Sequence, residues 1–297
     1  MLKIVKIGGN IVDNSAKLRD FLVDFAALPG DKILVHGGGK VATSISAALG
    51  VETIMIEGRR VTDRQTLEVV TMVYSGINKQ IVSMLQAFGC NAIGLCGADG
   101  RLIVSKKRVS EPINYGFVGD PVDVNAAFAQ QLVGQGITLV IAPITLDDAD
   151  PNANDRASVA NFGVSRGVET SRLLNTNADT VAQTIAVAMA KLRKNGKCGD
   201  ESGSCADVSQ DECSGVELVY CFEKQGVLLN VEDENSVIER IDRARFAELK
   251  ASCAVHSGML PKLENAFRAL DGEVAKVVIC AAENIAKPGY GGTTIVE

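Results

Sequence analysis

The chain has 297 residues, enough for one large α/β domain or two small ones, with the 46% hydrophobic and 22% charged content of an ordinary soluble globular protein. A net charge of −6 argues against nucleic acid or an anionic membrane as partner, while leaving a small anionic substrate open. No run of about 18 apolar residues occurs, so no transmembrane helix is expected.

The opening "MLKIVKIGGN" reads as a short strand followed by glycines rather than a signal peptide, which points to a cytoplasmic protein. Strand-like runs recur at "LKIVKI", "KILVH", "NAIGLCG", "ITLVIAPI", "VELVYCF" and "AKVVIC". Most are apolar on both faces, as buried parallel strands are. Helical patterns lie between them. The longest runs from Arg64 to Phe88, with Leu67, Val70, Tyr74, Ile77, Ile81 and Met84 at spacings of three and four. Another starts at "NTNADTVAQTIAVAMAKL", with Val181, Ile185, Met189 and Leu192 on one face. Strands alternating with helices predict an α/β fold, an open, mostly parallel central sheet with helices on both faces.

Two stretches break this rhythm. Asp147 to Arg172 is polar and turn-rich, and Asn195 to Glu217 is acidic without an aromatic residue, so both read as surface insertions. Cys198, Cys205 and Cys213 fall in the second at intervals that match no C-x-x-C metal pattern. The other five, Cys90, Cys96, Cys221, Cys253 and Cys280, lie in or beside apolar segments and read as small core residues in a reducing compartment.

Three consecutive glycines in "LVHGGGK", Leu34 to Lys40, sit at a strand-to-helix seam. They serve either as a phosphate cradle of converging backbone amides or as a tight turn. The spacing is not that of a Walker loop, and no G-x-G-x-x-G dinucleotide fingerprint occurs. His36 and His256 are the only histidines, and neither belongs to a metal-ligand pair. His36 ends a strand and reads as structural. Lys6 stands inside an apolar strand immediately before a second glycine pair, which is costly unless it faces a ligand or a carboxylate at the strand's end. "EGRRVTD" supplies Arg59 and Arg60, and "LLNTNADTVA" supplies Asn175, Asn177 and Asp179 at a helix start, with Asn177 as N-cap and Asp179 facing the helix dipole. "HSGMLPKLENA" puts Lys262 at the start of another helix.

In that order, "KIGGN", "VHGGGK", "GRRVTD", "LNTNAD", "SGMLPKLENA" and the closing "GGTTIVE" resemble the amino acid kinase family, and look most like its N-acetylglutamate kinase branch. The resemblance spans nearly the whole chain outside the two insertions. It implies a single domain over 1–297, with an acceptor-binding part to about residue 180 and a nucleotide-binding part beyond it. It implies transfer of the ATP γ-phosphoryl group to the side-chain carboxylate of N-acetyl-L-glutamate, in arginine biosynthesis. N-succinylglutamate, N-acetylaminoadipate, carbamate and uridylate remain alternative acceptors. A ligand sensor on the same fold is a further alternative, which intact Lys6, Asp179 and Lys262 argue against. A carboxylate nucleophile is already ionised at neutral pH, so the chemistry asks for positioning and charge neutralisation rather than a general base.

By the same resemblance, Lys6 and Lys262 stabilise the transferring phosphoryl group and Asp179 holds both ammonium groups. Backbone amides of Gly9, Gly38 and Gly39 hydrogen-bond phosphoryl oxygens, with Gly8 also in the phosphate-binding turn. Arg60, Asn175 and Asn177, with Gly38 and Gly39, hold the acceptor. Glu223, Gly226, His256, Ser257 and Gly258 fall on the nucleotide side, although "VYCFEKQGVL" departs from the family's Asp-Val-x-Gly turn. Magnesium is expected with the ATP phosphates, since no protein cage is visible. A homodimer is expected through the Arg64–Phe88 helix, where Val69, Met72 and Val73 lie off the main stripe. Arginine inhibition is not expected. Inhibited members carry an additional N-terminal helix that builds a ring, whereas here the first strand starts at Leu2 or Lys3.

Overall fold

The computed structural model describes residues 1–56, 58–109, 111–148, 172–196, 215–230, 232–252 and 259–297. Strand β1 (Leu2–Ile7) leads through the short helix α1 (Gly9–Val12) into α2 (Ser15–Ala27), and β2 (Lys32–His36) leads into α3 (Gly39–Ala48). The antiparallel pair β3 (Met55–Ile56) and β4 (Arg59–Arg60) precedes α4 (Arg64–Ala87). Then come β5 (Ala92–Leu95), β6 (Ile103–Lys107), β7 (Gly119–Val124), α5 (Ala126–Gly134), β8 (Thr138–Ile141) and β9 (Ile144–Asp147). Next are β10 (Leu173–Asn175), α6 (Ala178–Gly196), β11 (Val216–Phe222) and β12 (Arg240–Ile241). The series ends with α7 (Arg243–Ala251), α8 (Leu260–Asp271), β13 (Lys276–Ala281) and β14 (Thr293–Ile295).

The main sheet runs β12-β14-β13-β11-β1-β2-β8-β5. From β13 to β5 every pairing is parallel, and β14 turns antiparallel to β13 at one end. The expected parallel α/β sheet is therefore present. Alternation along each strand splits the core into two layers. Leu2, Ile4, Leu218 and Val277 pack against α5, α6 and α8 on one face. Val5, Ile7, Val219 and Val278 pack against α2 and α4 on the other.

Helix α4 buries Leu67, Val70, Tyr74, Ile77, Ile81 and Leu85. Its stripe ends on Leu85 rather than the expected Met84, because 3.6 residues per turn carries the buried face around the helix. Asp63 caps it by accepting from the Thr66 N–H at 2.8 Å, a bond worth about 1 kcal/mol. Of the three apolar residues off this stripe, Val69 is buried and Val73 half-buried within the chain, while Met72 is 60% exposed.

Several sequence boundaries need correction. A second sheet, β10-β9-β6-β7, was not legible as such. The run "ITLVIAPI" is not one strand, because Pro143 interrupts the ladder and divides it between β8 and β9 in different sheets. Asn195 and Gly196 belong to α6, and Val216 and Glu217 to β11, so the second insertion is shorter than 195–217. Glu217 is buried, accepts from the Tyr290 hydroxyl at 2.7 Å and pairs with Lys276 at 2.9 Å. Asp147 likewise belongs to β9, and its N–H donates to Arg172 across the base of the first insertion at 2.7 Å. Residues 149–171 and 197–214, with Cys198, Cys205 and Cys213, lie outside the described residues, as does Cys253. Cys90, Cys221 and Cys280 are buried free thiols, and Cys96 is half-buried. No helix among the described residues is long and apolar enough to cross a membrane.

Candidate active site

The C-terminal ends of β1 and β2 open onto a cavity of about 500 Å³. Small-molecule sites in open α/β sheets form at this edge, where loops diverge from the strand ends. Lys6 is the penultimate residue of β1, in register with Val35 and Tyr220. It follows Leu2 and Ile4 on the face that carries α6, so its stem leaves the core and its ammonium reaches the first turn of that helix. There it forms an ion pair with Asp179, Lys6 Nζ to Oδ1 at 2.7 Å, with 8% of the lysine exposed.

Asp179 is placed by α6. Asn177 caps the helix, its Oδ1 accepting from the N–H groups of Asp179 at 2.8 Å and Thr180 at 3.2 Å. The Tyr220 hydroxyl, buried beneath, donates to the Asp179 carbonyl at 3.2 Å. From the opposite side Lys262, near the start of α8, brings Nζ to 3.2 Å from Oδ2. Burial alone would raise the Asp179 pKa, but the flanking charges of Lys6 and Lys262 outweigh it and hold the carboxyl at about 2. Two ammonium groups against one carboxylate leave a net positive charge at the cavity, on a chain whose overall charge is −6.

Both glycine turns border this charge. Gly8 donates its N–H to Cys221 at 3.1 Å and Gly37 donates to Ile7 at 3.2 Å, tying the turns to the strand ends. Gly38 has φ +153°, and a Cβ there would stand 2.6 Å from Ile77 Cδ1, so the turn requires glycine. At Gly39 a Cβ would meet nothing within 4 Å. Gly38 is the N-cap of the ten-residue helix α3 without a side-chain cap, so the amides of the first turn lack intrahelical partners. The segment is thus a tight turn whose backbone also lines the cavity.

On the acceptor side Arg60 is 7% exposed and already braced by the protein. It donates to the Gly39 carbonyl at 2.8 Å, Thr43 Oγ1 at 2.8 Å and Thr53 Oγ1 at 3.0 Å. Asn175 donates Nδ2–H to Thr62 Oγ1 at 3.0 Å, and Thr62 in turn donates to the Arg60 carbonyl at 2.9 Å. A single hydrogen-bonded chain therefore links the end of β10 to β4.

The structure gathers Lys6, Gly8, Gly9, Gly38, Gly39, Arg60, Asn175, Asn177, Asp179, Glu223 and Lys262 around one cavity. Gly226 is not among its lining residues. It is buried against Thr293 and Val237, where a Cβ would come within 2.7 Å of Thr293 Oγ1, so close packing calls for glycine there. His256, Ser257 and Gly258 lie outside the described residues. Sequence reasoning missed Tyr74, Thr43 and Lys40 as lining residues. In the sequence Tyr74 falls on the core stripe of α4, and Lys40 and Thr43 follow the glycines with no spacing that marks them out. Among the described residues no group of three or more His, Cys, Asp or Glu could hold a metal ion.

The sequence model of the amino acid kinase family matches residues 1–193. The chain is 46% identical to the acetylglutamate kinase of Cytophaga hutchinsonii, over 96% of this chain and 92% of that protein. It is 44% identical to the acetylglutamate kinase of Parabacteroides distasonis, over 96% and 95% of the two chains. Carbamate kinase from Giardia lamblia bound to AMP-PNP shares the fold, with a TM-score of 0.60 at 13% identity over 100% of this chain and 98% of that one.

Proposed function

Since the chain belongs to the amino acid kinase family, we propose that it transfers the γ-phosphoryl group of ATP to the side-chain carboxylate of N-acetyl-L-glutamate, a step of arginine biosynthesis. The observation that carries this reading is the Asp179 carboxylate held between Lys6 and Lys262 beside the glycine turns. The relatives named above supply the acceptor.

An oxygen of the acceptor carboxylate attacks the γ-phosphorus. The bond from that phosphorus to the β,γ-bridging oxygen breaks, ADP leaves with the electron pair, and an acyl phosphate forms. No proton moves, so the step asks for no general base, and Lys6, Lys262 and the glycine amides have charge to neutralise rather than a proton to accept. As the three equatorial oxygens gather charge, Lys6 faces them from the acceptor side and Lys262 from the nucleotide side, while Asp179 keeps the two ammonium groups in place. Amides of Gly9, Gly38 and Gly39 donate to the same oxygens, whereas the Gly8 N–H is already committed to the Cys221 carbonyl and shapes the turn instead. Arg60 clamps an acceptor carboxylate, assisted by Asn175 and Asn177. Glu223 borders the nucleotide side.

Magnesium belongs in this reading to the nucleotide substrate. The carboxylates among the described lining residues are Asp179, already held by two lysines, and Glu223. Residues to about 180 serve the acceptor and those beyond it the nucleotide. The enzyme acts as a homodimer in the cytoplasm, where ATP is available and thiols such as Cys90 and Cys221 stay free.

A coupled assay of ADP release with N-acetylglutamate, N-succinylglutamate and glutamate side by side tests the reaction. Turnover with N-acetylglutamate well above the other two is expected. Preference for N-succinylglutamate would reassign the acyl group, and release with none of them would overturn the reading.

A further inference from the structure

His36 has no part in the chemistry above, yet it is fully buried at the end of β2, one residue before the glycine turn. Its ring sits between two fixed partners. Asn78 of α4 donates Nδ2–H to the Val140 carbonyl at 2.9 Å, which sets the orientation of its amide. The same Nδ2 lies 3.3 Å from His36 Nε2 and so donates its other hydrogen there. With Nε2 accepting, the ring proton resides on Nδ1, which is 2.8 Å from the Gly37 carbonyl and donates to it. The bonds run in one direction, from Asn78 through His36 to Gly37. Gly94 on β5 leaves room for the arrangement, since a Cβ there would lie 1.9 Å from Asn78 Oδ1.

A trans peptide points its C=O and its N–H to opposite sides. Holding the Gly37 carbonyl against the buried imidazole therefore turns the Gly38 N–H the other way. Gly38 lines the cavity and has no side chain, and its φ of +153° is open to glycine alone, so the orientation of the Gly37–Gly38 peptide depends on the bonds its own groups make.

We propose that His36 is a positioning residue, which as a neutral Nδ1–H imidazole locks the Gly37–Gly38 peptide with its N–H aimed at the transferring phosphoryl group. This rests on the kinase reading for the identity of the anion and goes beyond it in assigning the buried histidine a part in transition-state stabilisation. Burial holds the His36 pKa down to about 4, opposed by the bond to Gly37, so the ring keeps the neutral form throughout the neutral range.

Two substitutions separate this role from mere filling. In His36→Asn the amide nitrogen can occupy the place of Nδ1 and still donate to Gly37. In His36→Gln the amide reaches the place of Nε2, keeps the link to Asn78 and leaves Gly37 without its donor. Wild type is assayed first with the three acceptors named above. If it is inactive with all of them the kinase reading has failed, and the histidine is judged by nitrogen NMR alone. With an active wild type, His36→Asn should keep kcat within about threefold. His36→Gln should lose roughly tenfold or more in kcat, with the KM for either substrate little changed, as expected for a displaced oxyanion donor. Binding of ADP, acceptor and tetrafluoroaluminate, a mimic of the transferring phosphoryl group, should weaken in parallel with kcat in the Gln variant. Equal kcat in the two variants, or a change in KM alone, would overturn the proposal. Nitrogen-15 shifts of His36 in the unsubstituted protein provide a readout independent of activity and of variant folding. Nδ1 protonated and Nε2 bare supports the inference, and the opposite tautomer refutes it.

Discussion

Lys6 and Asp179 meet at 2.7 Å across the seam between β1 and α6, and the carboxylate that holds Lys6 also holds Lys262 at 3.2 Å. The two lysines come from elements far apart in sequence, so their separation is set by one side chain. In the proposed mechanism both ammonium groups contribute most in the transition state, when charge on the phosphoryl oxygens is greatest. Lys6→Ala and Lys262→Ala should each lower kcat by roughly a hundredfold or more, with smaller effects on either KM. Near-normal kcat in either variant, measured by ADP release, would make that lysine structural.

The same carboxylate sets an acid limit on stability. Asp179 has a pKa of about 2 in the folded protein, below the ordinary 3.8. A depressed folded pKa stabilises above the unfolded value, and that stability is lost as pH falls through the folded one. The contribution, about 2 kcal/mol, is present above roughly pH 4 and disappears toward pH 2. Urea unfolding of wild type and Asp179→Asn should show a difference that is flat from pH 7 to pH 5 and shrinks below pH 4. A difference independent of pH down to 2 would show that the ion pairs do not set it.

Arg60 presents its guanidinium to Gly39, Thr43 and Thr53 in a planar fork that lysine cannot reproduce. Arg60→Lys should raise the acceptor KM by about tenfold or more and leave the KM for ATP nearly unchanged, since one lost bidentate contact is worth on the order of 1–3 kcal/mol. A selective rise in the ATP constant, from initial rates with each substrate varied in turn, would move Arg60 to the nucleotide side.

Met72 stands 60% exposed on α4, beside the half-buried Val73. A homodimer formed through this helix should scatter light as about twice 31.3 kDa, and Met72→Glu should shift it toward the monomer. A wild-type monomer at micromolar concentration would end the proposal.

Much of this architecture was visible in the chain. "LKIVKI", "KILVH" and "VELVYCF" are β1, β2 and β11 residue for residue, because strands buried on both faces are predominantly apolar. Lys6 was legible as a site residue for the opposite reason, as a charge where apolar packing should be. The second sheet was not. Strand β7, Gly119–Val124, carries Asp120, Pro121 and Asp123, and without its partner β6 it reads as loop. Asn78 was hidden for a similar reason. A polar residue within a helix reads as solvent-facing until the fold brings His36 and the Val140 carbonyl to it. Gly226 has a packing reason to be glycine that the sequence does not reveal, since a Cβ there would press on Thr293 and Val237.

Gly38 and Gly39 are neighbours with different reasons to be glycine, and alanine should separate them. At Gly38 the backbone is at φ +153° and a Cβ would collide with Ile77 Cδ1 at 2.6 Å. Gly38→Ala should therefore destabilise the fold by about 1–3 kcal/mol. At Gly39, the first residue of α3, a Cβ would meet nothing within 4 Å. Alanine there should leave stability unchanged or raise it by about 0.5 kcal/mol, because it restricts the unfolded chain and favours the helix. Gly39 lines the cavity, so the methyl group is expected to intrude on bound substrate. Thermal unfolding and ADP release measured together should show Gly39→Ala as stable as wild type but impaired in kcat or acceptor KM by about tenfold, since a small misplacement of reacting groups is felt strongly in rate. Full activity in stable Gly39→Ala would mean that the acceptor and its phosphoryl group do not approach the α3 turn, and the cradle role assigned to these amides would fall with it.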